Sequence, residues 1–587
     1  MTTGDPEHMT GSEQPTGERS TSGVVLLRGG SVLGADGAPV RADVLVTDAV
    51  IRAVGADLAA PADAHVIDCD GRLVLPGFVD AHSHAGSLVF DEGVQLALLR
   101  QGVTTIVTGQ DGVGPAPGDG SYADTYFAAI DGPHPTYRGG GVDGLLTTYD
   151  GTTPINVATL VPAGTVRHQV MGDDPGPADS AQLAAMRELV RDGLVDGAVG
   201  LATGLDYVPG LFAGTAELAA LCTEVAAVDG VYVSHMRGGY EGNARAGLDE
   251  IADIVRSSGV RAHVSHLHAP VDLAVTALAE LEADGAPMSF DAYPYSRGCT
   301  ILSMLLLPAA LARPGTEDLA HAIADDGRAA VRAAVLDRVL SRADLGTGWA
   351  EQITLSHVPA AEFHALQGRT LADAAEATGT DPVDLALDVL VDSALQVTAV
   401  MRVPRPRTAD DLAPLFRLPG HTAGSDGIFV GTHPHPRAYG TFARYLQDFA
   451  RTGLLTWLDA SRHLSTTAVE RLGLGRRGAV AVGAVADLVV VHPDRITARS
   501  SYDEPMRLAE GIDDVLVAGV PVLAEGALTH ATPGAGLRRH PGRIDHEQGA
   551  GSREQRAPGG AVTQHGRWSS RAGDAARSAT QHGDAPR

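Results

Sequence analysis

The sequence predicts an α/β protein whose main part is a (β/α)8 TIM barrel with an inserted subdomain. A small β-sandwich domain, built from both ends of the chain, is expected beside it. Three observations predict this fold. Apolar segments of strand length alternate with helix-like segments through the middle of the chain. Strand-rich segments with turns occur near both ends. One connection in the middle is far longer than a simple crossover needs.

The two ends of the chain have the same character, and this similarity predicts that they form one β domain. We assign 23–76 and 476–540 to it, with 1–22 and 541–587 as polar tails that are expected to be disordered. Short apolar segments bounded by turn residues are the evidence for strands. The predicted strands of this domain are 24–28, 42–46, 51–54, 65–68, 486–491 and 514–522.

The middle of the chain, 77–475, has the alternation that is typical of a barrel. Helix-like stretches with apolar residues at i, i+3 and i+4 lie between several strands, as in 181–195, 215–228 and 243–257. The predicted barrel strands are 76–82, 103–109, 155–161, 197–203, 231–235, 261–266, 287–293 and 421–426. Helix-like segments continue between the last two strands, so 296–420 is predicted to be the inserted subdomain.

Composition excludes several classes of function. The formal net charge of −28 argues against nucleic acid or an anionic membrane as a partner, because both require a basic surface. The sequence has no lysine, which rules out Schiff-base chemistry and a carbamylated-lysine metal bridge. Three widely spaced cysteines, no signal-peptide pattern and no apolar stretch of membrane-spanning length predict a cytoplasmic protein.

Two histidines follow the first predicted barrel strand, in Val79-Asp80-Ala81-His82-Ser83-His84. Alternate side chains of a strand share a face, so His82 and His84 are expected to point the same way. Two neutral imidazoles on one side of a strand end form half of a metal site. A lone His-x-His is more often accidental, so this pair depends on the rest of the chain for its meaning.

Other polar residues also cluster where barrel strands end, which is where barrel enzymes carry their chemistry. The fifth and sixth strands end at His235 and His266, and the eighth ends in Gly424-Ser425-Asp426-Gly427. Together these side chains predict a site for one or two divalent ions with nitrogen and oxygen ligands. His263 has the parity of a structural position. His421, His433 and His435 are expected to be solvated or satisfied by neighbours.

Asp426 is the best candidate for proton transfer, because a carboxylate beside metal-activated water can accept a proton and return it to a leaving nitrogen. The alternative for Asp426 is an ordinary Asp-Gly turn. Arg437, in His435-Pro436-Arg437, is suited to clamp a carboxylate, and its alternative is a surface loop. Strand seven contributes Asp291 and Tyr293.

These motifs resemble the amidohydrolase superfamily and, within it, the N-acyl-D-amino-acid deacylases, over about residues 24–540. The resemblance is carried by the motifs above, by Asp291-Ala292-Tyr293-Pro294-Tyr295 and by His435-Pro436-Arg437-Ala438-Tyr439-Gly440-Thr441-Phe442. It implies a tight Zn²⁺ at His235 and His266, and a second, weaker site at His82 and His84. It also implies that Asp426 is the acid and base, and that Arg437 and Tyr293 hold the substrate carboxylate.

The chain departs from that family at four positions. Where the family commonly has a cysteine ligand, this chain has Asp111 in Gln110-Asp111-Gly112, and a carboxylate is a harder metal ligand or bridge. His268 stands where the family tends to have a lysine that helps to bind substrate, and it is predicted to be a substrate-binding residue. Pro162-Ala163-Gly164 stands where Gly-His-Gly often follows the third strand, and Cys299 stands where a small polar residue is expected. These changes alter the pocket wall more than the metal chemistry.

The sequence therefore predicts metal-dependent hydrolysis of the amide bond of an N-acyl-D-amino acid, which releases a carboxylate and a D-amino acid. The predicted partner is a small N-acyl amino acid, with no nucleic acid and no membrane. Two alternatives use the same site: a cyclic amidohydrolase of the dihydroorotase or hydantoinase type, and a D-dipeptidase. A third alternative, from another class, is a catalytically silent barrel that serves as a binding module.

Overall fold

Eight short parallel strands form the centre of the part of the chain that the computed structural model describes, which is residues 23–539 except 239, 314–316, 325–326, 343–344 and 404. Neighbouring strands pair in parallel in the order of the sequence. Their residues are almost all buried, as expected of parallel strands that helices cover. The strands are Phe78–Asp80, Val103–Thr108, Asn156–Thr159 (continued by Val161–Pro162), Gly200–Gly204, Val231–His235, Arg261–Val264, Met288–Ala292 and His421–Ala423.

Hydrogen bonds between the first and last strands close the ring. The N–H of Ala81 donates to the carbonyl of Ala423 over 3.1 Å, and Ser83 pairs in parallel with Gly427. The third and fourth strands are joined where the N–H of Val199 donates to the carbonyl of Thr159 over 2.9 Å. The predicted (β/α)8 barrel is therefore confirmed, and the carboxyl ends of all eight strands meet at one face.

Helices surround the barrel and cover the outer face of its strands. Ser180–Val195, Thr215–Ala226 and Ala244–Ser258 match the predicted helices closely. Two short helices after the second strand, Ser121–Tyr126 and Ala128–Asp131, lie over the mouth of the barrel instead. The remaining helices that pack on or beside the barrel are Glu92–Leu99, Gly141–Thr147, Ala163–Met171, Val271–Ala283, Ala409–Phe416, Arg437–Arg444, Trp457–Ser461 and Thr467–Leu472.

The insertion between the seventh and eighth strands has its own sheet and its own core. Three antiparallel strands, Gly298–Ile301, Thr398–Met401 and Ile353–His357, pair in that order. Their apolar residues pack with those of the local helices in a cluster separate from the barrel core. These helices are Leu302–Leu306, Glu317–Ile323, Arg328–Ser341, Trp349–Gln352, Leu371–Thr378 and Pro382–Asp392.

Two sheets built from both ends of the chain form the predicted β-sandwich, and their inner faces share one apolar core. One sheet has the order Val50–Gly55, Asp43–Thr47, Val24–Arg28, His65–Asp68. The other has the order Ala527–Leu528, Val520–Ala524, Ile512–Val517, Leu488–Val491, Leu73–Pro76, Ser31–Leu33, Pro39–Arg41.

The chain leaves the sandwich after these strands and returns to the barrel, where the N–H of Val157 donates to the carbonyl of Ala535 over 3.0 Å. The exact limits of the two domains stay predictions. The predicted disordered tails, 1–22 and 541–587, lie outside the described residues. Within those residues, no helix combines the length and the apolar character that crossing a membrane requires.

Candidate metal centre and active site

Five of the predicted site residues converge at the carboxyl ends of the strands, and the carboxylate of Asp111 lies at their centre. Asp111 Oδ1 is 3.6 Å from His82 Nε2, 3.6 Å from His235 Nδ1 and 3.5 Å from His266 Nε2. Asp111 Oδ2 is 3.7 Å from His84 Nε2. All five side chains are buried. One carboxylate therefore faces four imidazoles that come from three different strand ends.

A tight turn places Asp111 in this position. The second barrel strand ends at Thr108, and Gly109 then turns the chain with a φ of 73°. Asp111 itself has a φ of 55°, a left-handed conformation that is uncommon outside glycine and that aspartate tolerates better than most residues. The side chain of Gln110 fixes the turn by donating to the carbonyl of Ala81 over 2.9 Å.

The residues present fit one or two metal ions. His82, Asp111 and His266 form one group whose ligand atoms lie within 4.8 Å of one another, and His82, His84 and Asp426 form a second. Both ring nitrogens of His82 and Oδ1 of Asp111 are buried without a hydrogen-bond partner. Buried polar atoms of native proteins normally have a partner, and a cation between these groups would provide one.

Further carboxylates lie behind the histidines, on the side away from Asp111. His84 Nδ1 is 2.7 Å from Asp131 Oδ1, and His235 Nε2 is 3.3 Å from Asp206 Oδ2. His82 Nδ1 is 3.5 Å from Asp291 Oδ2. Such outer carboxylates fix the tautomer and orientation of metal-binding imidazoles and strengthen them as ligands.

The electrostatics of the cluster favour positive charge. Burial lowers the pKa of His84, but hydrogen bonds to Asp131 and Asp426 outweigh this effect and raise it to about 10. Burial likewise lowers the pKa of His235, and the charges of Asp111 and Asp206 raise it to about 10. The same negative potential would stabilise a divalent cation, which needs neutral imidazoles and ionised carboxylates as ligands.

Asp426 joins the metal cluster to a buried cation. Its Oδ1 lies 3.3 Å from His84 Nε2, and its Oδ2 lies 2.8 Å from Arg437 Nη1. Burial raises the pKa of Asp426, but the charges of Arg437 and His266 outweigh it and leave the pKa below its usual value. The carboxylate is thus ionised and able to accept a proton.

Arg437 and Tyr293 form the wall of the site on the side of Asp426 away from His84. Arg437 Nη1 donates to the Tyr293 hydroxyl over 2.9 Å, and the guanidinium carbon lies 4.7 Å from the centre of the tyrosine ring. Arg437 Nη2 donates to the carbonyl of Cys299 over 3.3 Å, while Nε is buried without a partner. The guanidinium therefore keeps a donor that an anionic ligand would satisfy.

His268 lies near this wall, with its ring centre 6.2 Å from that of Tyr293. Its imidazole is engaged: Nδ1 is 2.6 Å from Glu241 Oε1, and Arg407 Nη1 lies 3.3 Å from the ring nitrogens. Burial raises the pKa of Glu241, but hydrogen bonds from His268 and Arg407 outweigh it and lower the pKa to about 2.

The histidines that the sequence placed outside the site have local partners. His263 lies 2.8 Å from Ser289 Oγ and 3.1 Å from Asp291 Oδ2, so it orients the carboxylate behind His82. The other three form hydrogen bonds away from the cluster: His421 with the hydroxyl of Tyr445, His433 with the carbonyl of Tyr502, and His435 with the carbonyl of Arg297.

The structure also brings in residues that sequence reasoning missed. Asp206 follows the fourth barrel strand, so the strand-end rule that found His235 could have found it. Tyr240 packs its ring 5.2 Å from His235 and 5.0 Å from His266. Asp131 ends the short helix Ala128–Asp131, and Glu241 and Arg407 lie in connections between the main elements, so no periodicity marks any of them.

Fold and site together define a metal-dependent hydrolase of the barrel type, and comparison with known proteins agrees. The model of the amidohydrolase family matches residues 65–523. N-acyl-D-glutamate deacylase of Alcaligenes xylosoxydans xylosoxydans is 32% identical over 88% of this chain and 96% of its own. D-aminoacylase of the same organism is 30% identical over 88% and 97%. The chain belongs to the amidohydrolase family.

Solved structures give the same relationship. N-acyl-D-glutamate deacylase of Bordetella bronchiseptica, in complex with zinc and a phosphonate that mimics the tetrahedral intermediate, has a TM-score of 0.72 and 28% identity, over 88% of this chain and 99% of its own. A D-aminoacylase with a binuclear metal centre has a TM-score of 0.72 and 26% identity, with the same coverage. The predicted resemblance is confirmed, and the chain is a hydrolase of carbon–nitrogen bonds other than peptide bonds.

Cyclic amidohydrolases are more distant. Dihydropyrimidinase of Brevibacillus agri has a TM-score of 0.52 and 16% identity, over 87% of this chain and 97% of its own, and this likeness shows the fold alone.

Proposed function

We propose that this protein hydrolyses the amide bond of N-acyl-D-amino acids with Zn²⁺ as its metal, and releases a carboxylate and a D-amino acid. The observation that carries the proposal is the carboxylate of Asp111 among four imidazoles, with Asp426 and Arg437 beside it. Two relatives match this chain over 96% and 97% of their own length, and they are named N-acyl-D-glutamate deacylase and D-aminoacylase.

In this proposal two ions share the site. His235 and His266 would hold the tighter Zn²⁺, His82 and His84 would hold a weaker one, and the carboxylate of Asp111 would be a ligand beside all four imidazoles. Bound zinc supplies a water of lowered pKa and polarises the acyl carbonyl. The unpartnered nitrogens of His82 and the unpartnered Oδ1 of Asp111 support this ligand set.

Asp426 moves the proton. Its carboxylate takes a proton from the attacking water as the new carbon–oxygen bond forms. It then delivers this proton to the nitrogen as the carbon–nitrogen bond breaks. Its position between His84 and Arg437, and its ionised state, support the first of these steps.

Arg437 and Tyr293 hold the α-carboxylate of the substrate. The unpartnered Nε of Arg437 and the tyrosine hydroxyl are donors on the same wall. A carboxylate fixed there, with the acyl carbonyl fixed over the metal cluster, leaves one direction for the side chain, so this pair would select chirality.

The buried free thiols Cys69, Cys222 and Cys299 agree with a reducing compartment, and we assign the protein to the cytoplasm.

Metal analysis together with a substrate panel tests the proposal. The panel contains N-acetyl-D-amino acids, their L-enantiomers, D-dipeptides and cyclic ureides. We expect zinc in the purified protein and preferential hydrolysis of the N-acetyl-D compounds. Preference for the ureides or the dipeptides would reject deacylation as the main reaction. Protein that holds no metal and stays inert with added zinc or cobalt would be a binding module instead.

A further inference from the structure

Three ionisable side chains meet near Tyr293, and the mechanism above does not use them. Glu241 comes from the loop after the fifth barrel strand, His268 follows the sixth, and Arg407 comes from the insertion. Arg407 Nη2 donates to both carboxylate oxygens of Glu241, over 2.7 and 2.5 Å, and His268 Nδ1 lies 2.6 Å from Glu241 Oε1. We call these three residues the Glu241 cluster.

The backbone holds Glu241 in this place. Its φ is 52°, a left-handed conformation that costs a non-glycine residue free energy. Its N–H donates to the carbonyl of His268 over 2.9 Å, so backbone and side chain both attach Glu241 to the sixth strand end. A strained conformation fixed by two contacts is typical of a position with a function.

The cluster is close to the reacting groups. Tyr240, the residue before Glu241, packs against His235 and His266. The ring of His268 is 6.2 Å from that of Tyr293, which binds Arg437. The side chains of Glu241, His268 and Arg407 are 23%, 14% and 11% exposed, so they are partly buried but reachable.

The charges of the cluster bear on which substrates the pocket accepts. The carboxylate of Glu241 engages both Arg407 and His268, so neither side chain is free to pair with an acidic side chain of a substrate, and in the proposed function Arg437 is occupied by the α-carboxylate. Around the metal cluster lie five more carboxylates, those of Asp111, Asp131, Asp206, Asp291 and Asp426. A second carboxylate on the substrate would therefore lie near the carboxylate of Glu241 and find no free cationic side chain to pair with.

We infer that Glu241 determines specificity, by restricting the pocket to N-acyl-D-amino acids with uncharged side chains and disfavouring those with a second carboxylate. The inference rests on the proposed function for the position of the α-carboxylate at Arg437. Arg407 acts against Glu241, because its charge compensates that carboxylate. The insertion thereby contributes to substrate choice through Arg407, which lies in the segment that leads to the eighth barrel strand.

Two substitutions of opposite sign test the inference. The measured quantity is kcat/KM for N-acetyl-D-glutamate divided by kcat/KM for N-acetyl-D-leucine. Wild type should favour leucine. Glu241→Gln frees Arg407 and His268 and should raise the ratio on the order of tenfold, since one nearby charge is removed. Arg407→Gln leaves Glu241 less compensated and should lower the ratio. Damage to the fold alone would not move the ratio in opposite directions.

Glu217→Gln is the matched control. Glu217 is also a partly buried glutamate paired with an arginine, Arg167, but it lies among the outer helices of the barrel. Its ratio should equal that of wild type. A wild type that prefers glutamate, or a ratio that neither Glu241→Gln nor Arg407→Gln changes, would overturn the inference. If Glu241→Gln fails to fold, a ratio that does not fall in Arg407→Gln overturns it as well.

The same samples separate this inference from the proposed function. A wild type that hydrolyses neither compound contradicts the deacylase proposal. The dissociation constants of the two compounds, measured by calorimetry, then replace kcat/KM in the ratio. A binding ratio that is the same in wild type and Glu241→Gln contradicts the role of Glu241.

Discussion

Asp426 and Arg437 form a buried ion pair next to the histidine cluster, and each has a second task in the proposed reaction. The pair holds Asp426 ionised, which suits a base, while Arg437 keeps one donor free. Removing one partner of a buried pair is costly, because the other charge is left uncompensated. A substitution at Asp426 should therefore keep an acceptor for Arg437.

Asp426→Asn meets that requirement and removes the proton-transfer group. We predict that the variant binds as much metal as wild type, because five other ligands remain, and loses activity by a factor of about 10²–10⁴. Metal analysis and initial rates on N-acetyl-D-leucine check both parts. Full activity in this variant would remove Asp426 from the mechanism, and loss of metal would make it a ligand instead.

Asp131 is the outer carboxylate nearest to a histidine, 2.7 Å from His84 Nδ1. Asp131→Ala should weaken the ion held by His82 and His84 by about 10- to 100-fold and leave the tighter ion in place. Metal titration by calorimetry measures the two affinities. Asp173→Ala is the control, because Asp173 pairs with His168 away from the site. Equal affinities in wild type and Asp131→Ala would contradict the role of Asp131.

At the scale of single elements, the barrel strands end earlier than the sequence pattern indicates. The first, sixth and eighth strands stop at Asp80, Val264 and Ala423, two to three residues before the predicted ends. His266 and Asp426 have φ values of 32° and 49°, so their backbones leave the pairing that the apolar run predicts. The backbone is irregular at these strand ends, where it positions the side chains of the site, and the β-propensity of the sequence does not indicate this irregularity.

Much of the metal cluster could be predicted because its residues end barrel strands or follow them within a few residues, where chain position implies spatial position. His82, His84, His235, His266 and Asp426 have that property. Asp131 and Arg407 come from a short helix and an irregular segment, and their placement depends on tertiary packing. Sequence patterns describe local structure, so contacts of this kind had to be seen in three dimensions.

The start of helix Ser180–Val195 is fixed by contacts between residues that are neighbours in the sequence. Asp179 caps its first turn and accepts from the N–H groups of Ala181 and Gln182, and the N–H of Asp179 donates to Oε1 of Gln182. Asp179→Ala should lower the free energy of unfolding by about 1 kcal/mol, seen as a lower urea midpoint. Glu188→Ala, exposed on the same helix, should change it by less than about 0.5 kcal/mol. Equal midpoints for the two variants would contradict the cap's contribution.

At the scale of the whole molecule, the barrel, the sandwich and the insertion each supply polar contacts that cross between them. Asp487, in the sandwich, is buried and accepts from Asn156 Nδ2 of the third barrel strand over 3.3 Å. Asp487 also pairs with Arg477 and accepts from the N–H of Ala518 over 2.7 Å. Arg407 of the insertion reaches the mouth of the barrel. The sandwich thus contacts the amino end of the third barrel strand, and the insertion contacts the carboxyl-end face that carries the site.

The net charge of −28 belongs to this scale too. It opposes the approach of anionic substrates at long range, so a bound divalent ion and Arg437 have to supply the local attraction. A substrate with a single carboxylate suits such a molecule better than one with two. This agrees with the role inferred for Glu241.

The most direct test of the central claim uses racemic N-acetyl-leucine and two forms of the protein. One form is stripped of metal by a chelator, and the other is the same sample reloaded with zinc. We predict that only the reloaded protein releases leucine, that the leucine is the D-enantiomer, and that half of the racemate remains. Release of both enantiomers at equal rates, or full activity in the stripped protein, would contradict a metal-dependent deacylase of N-acyl-D-amino acids.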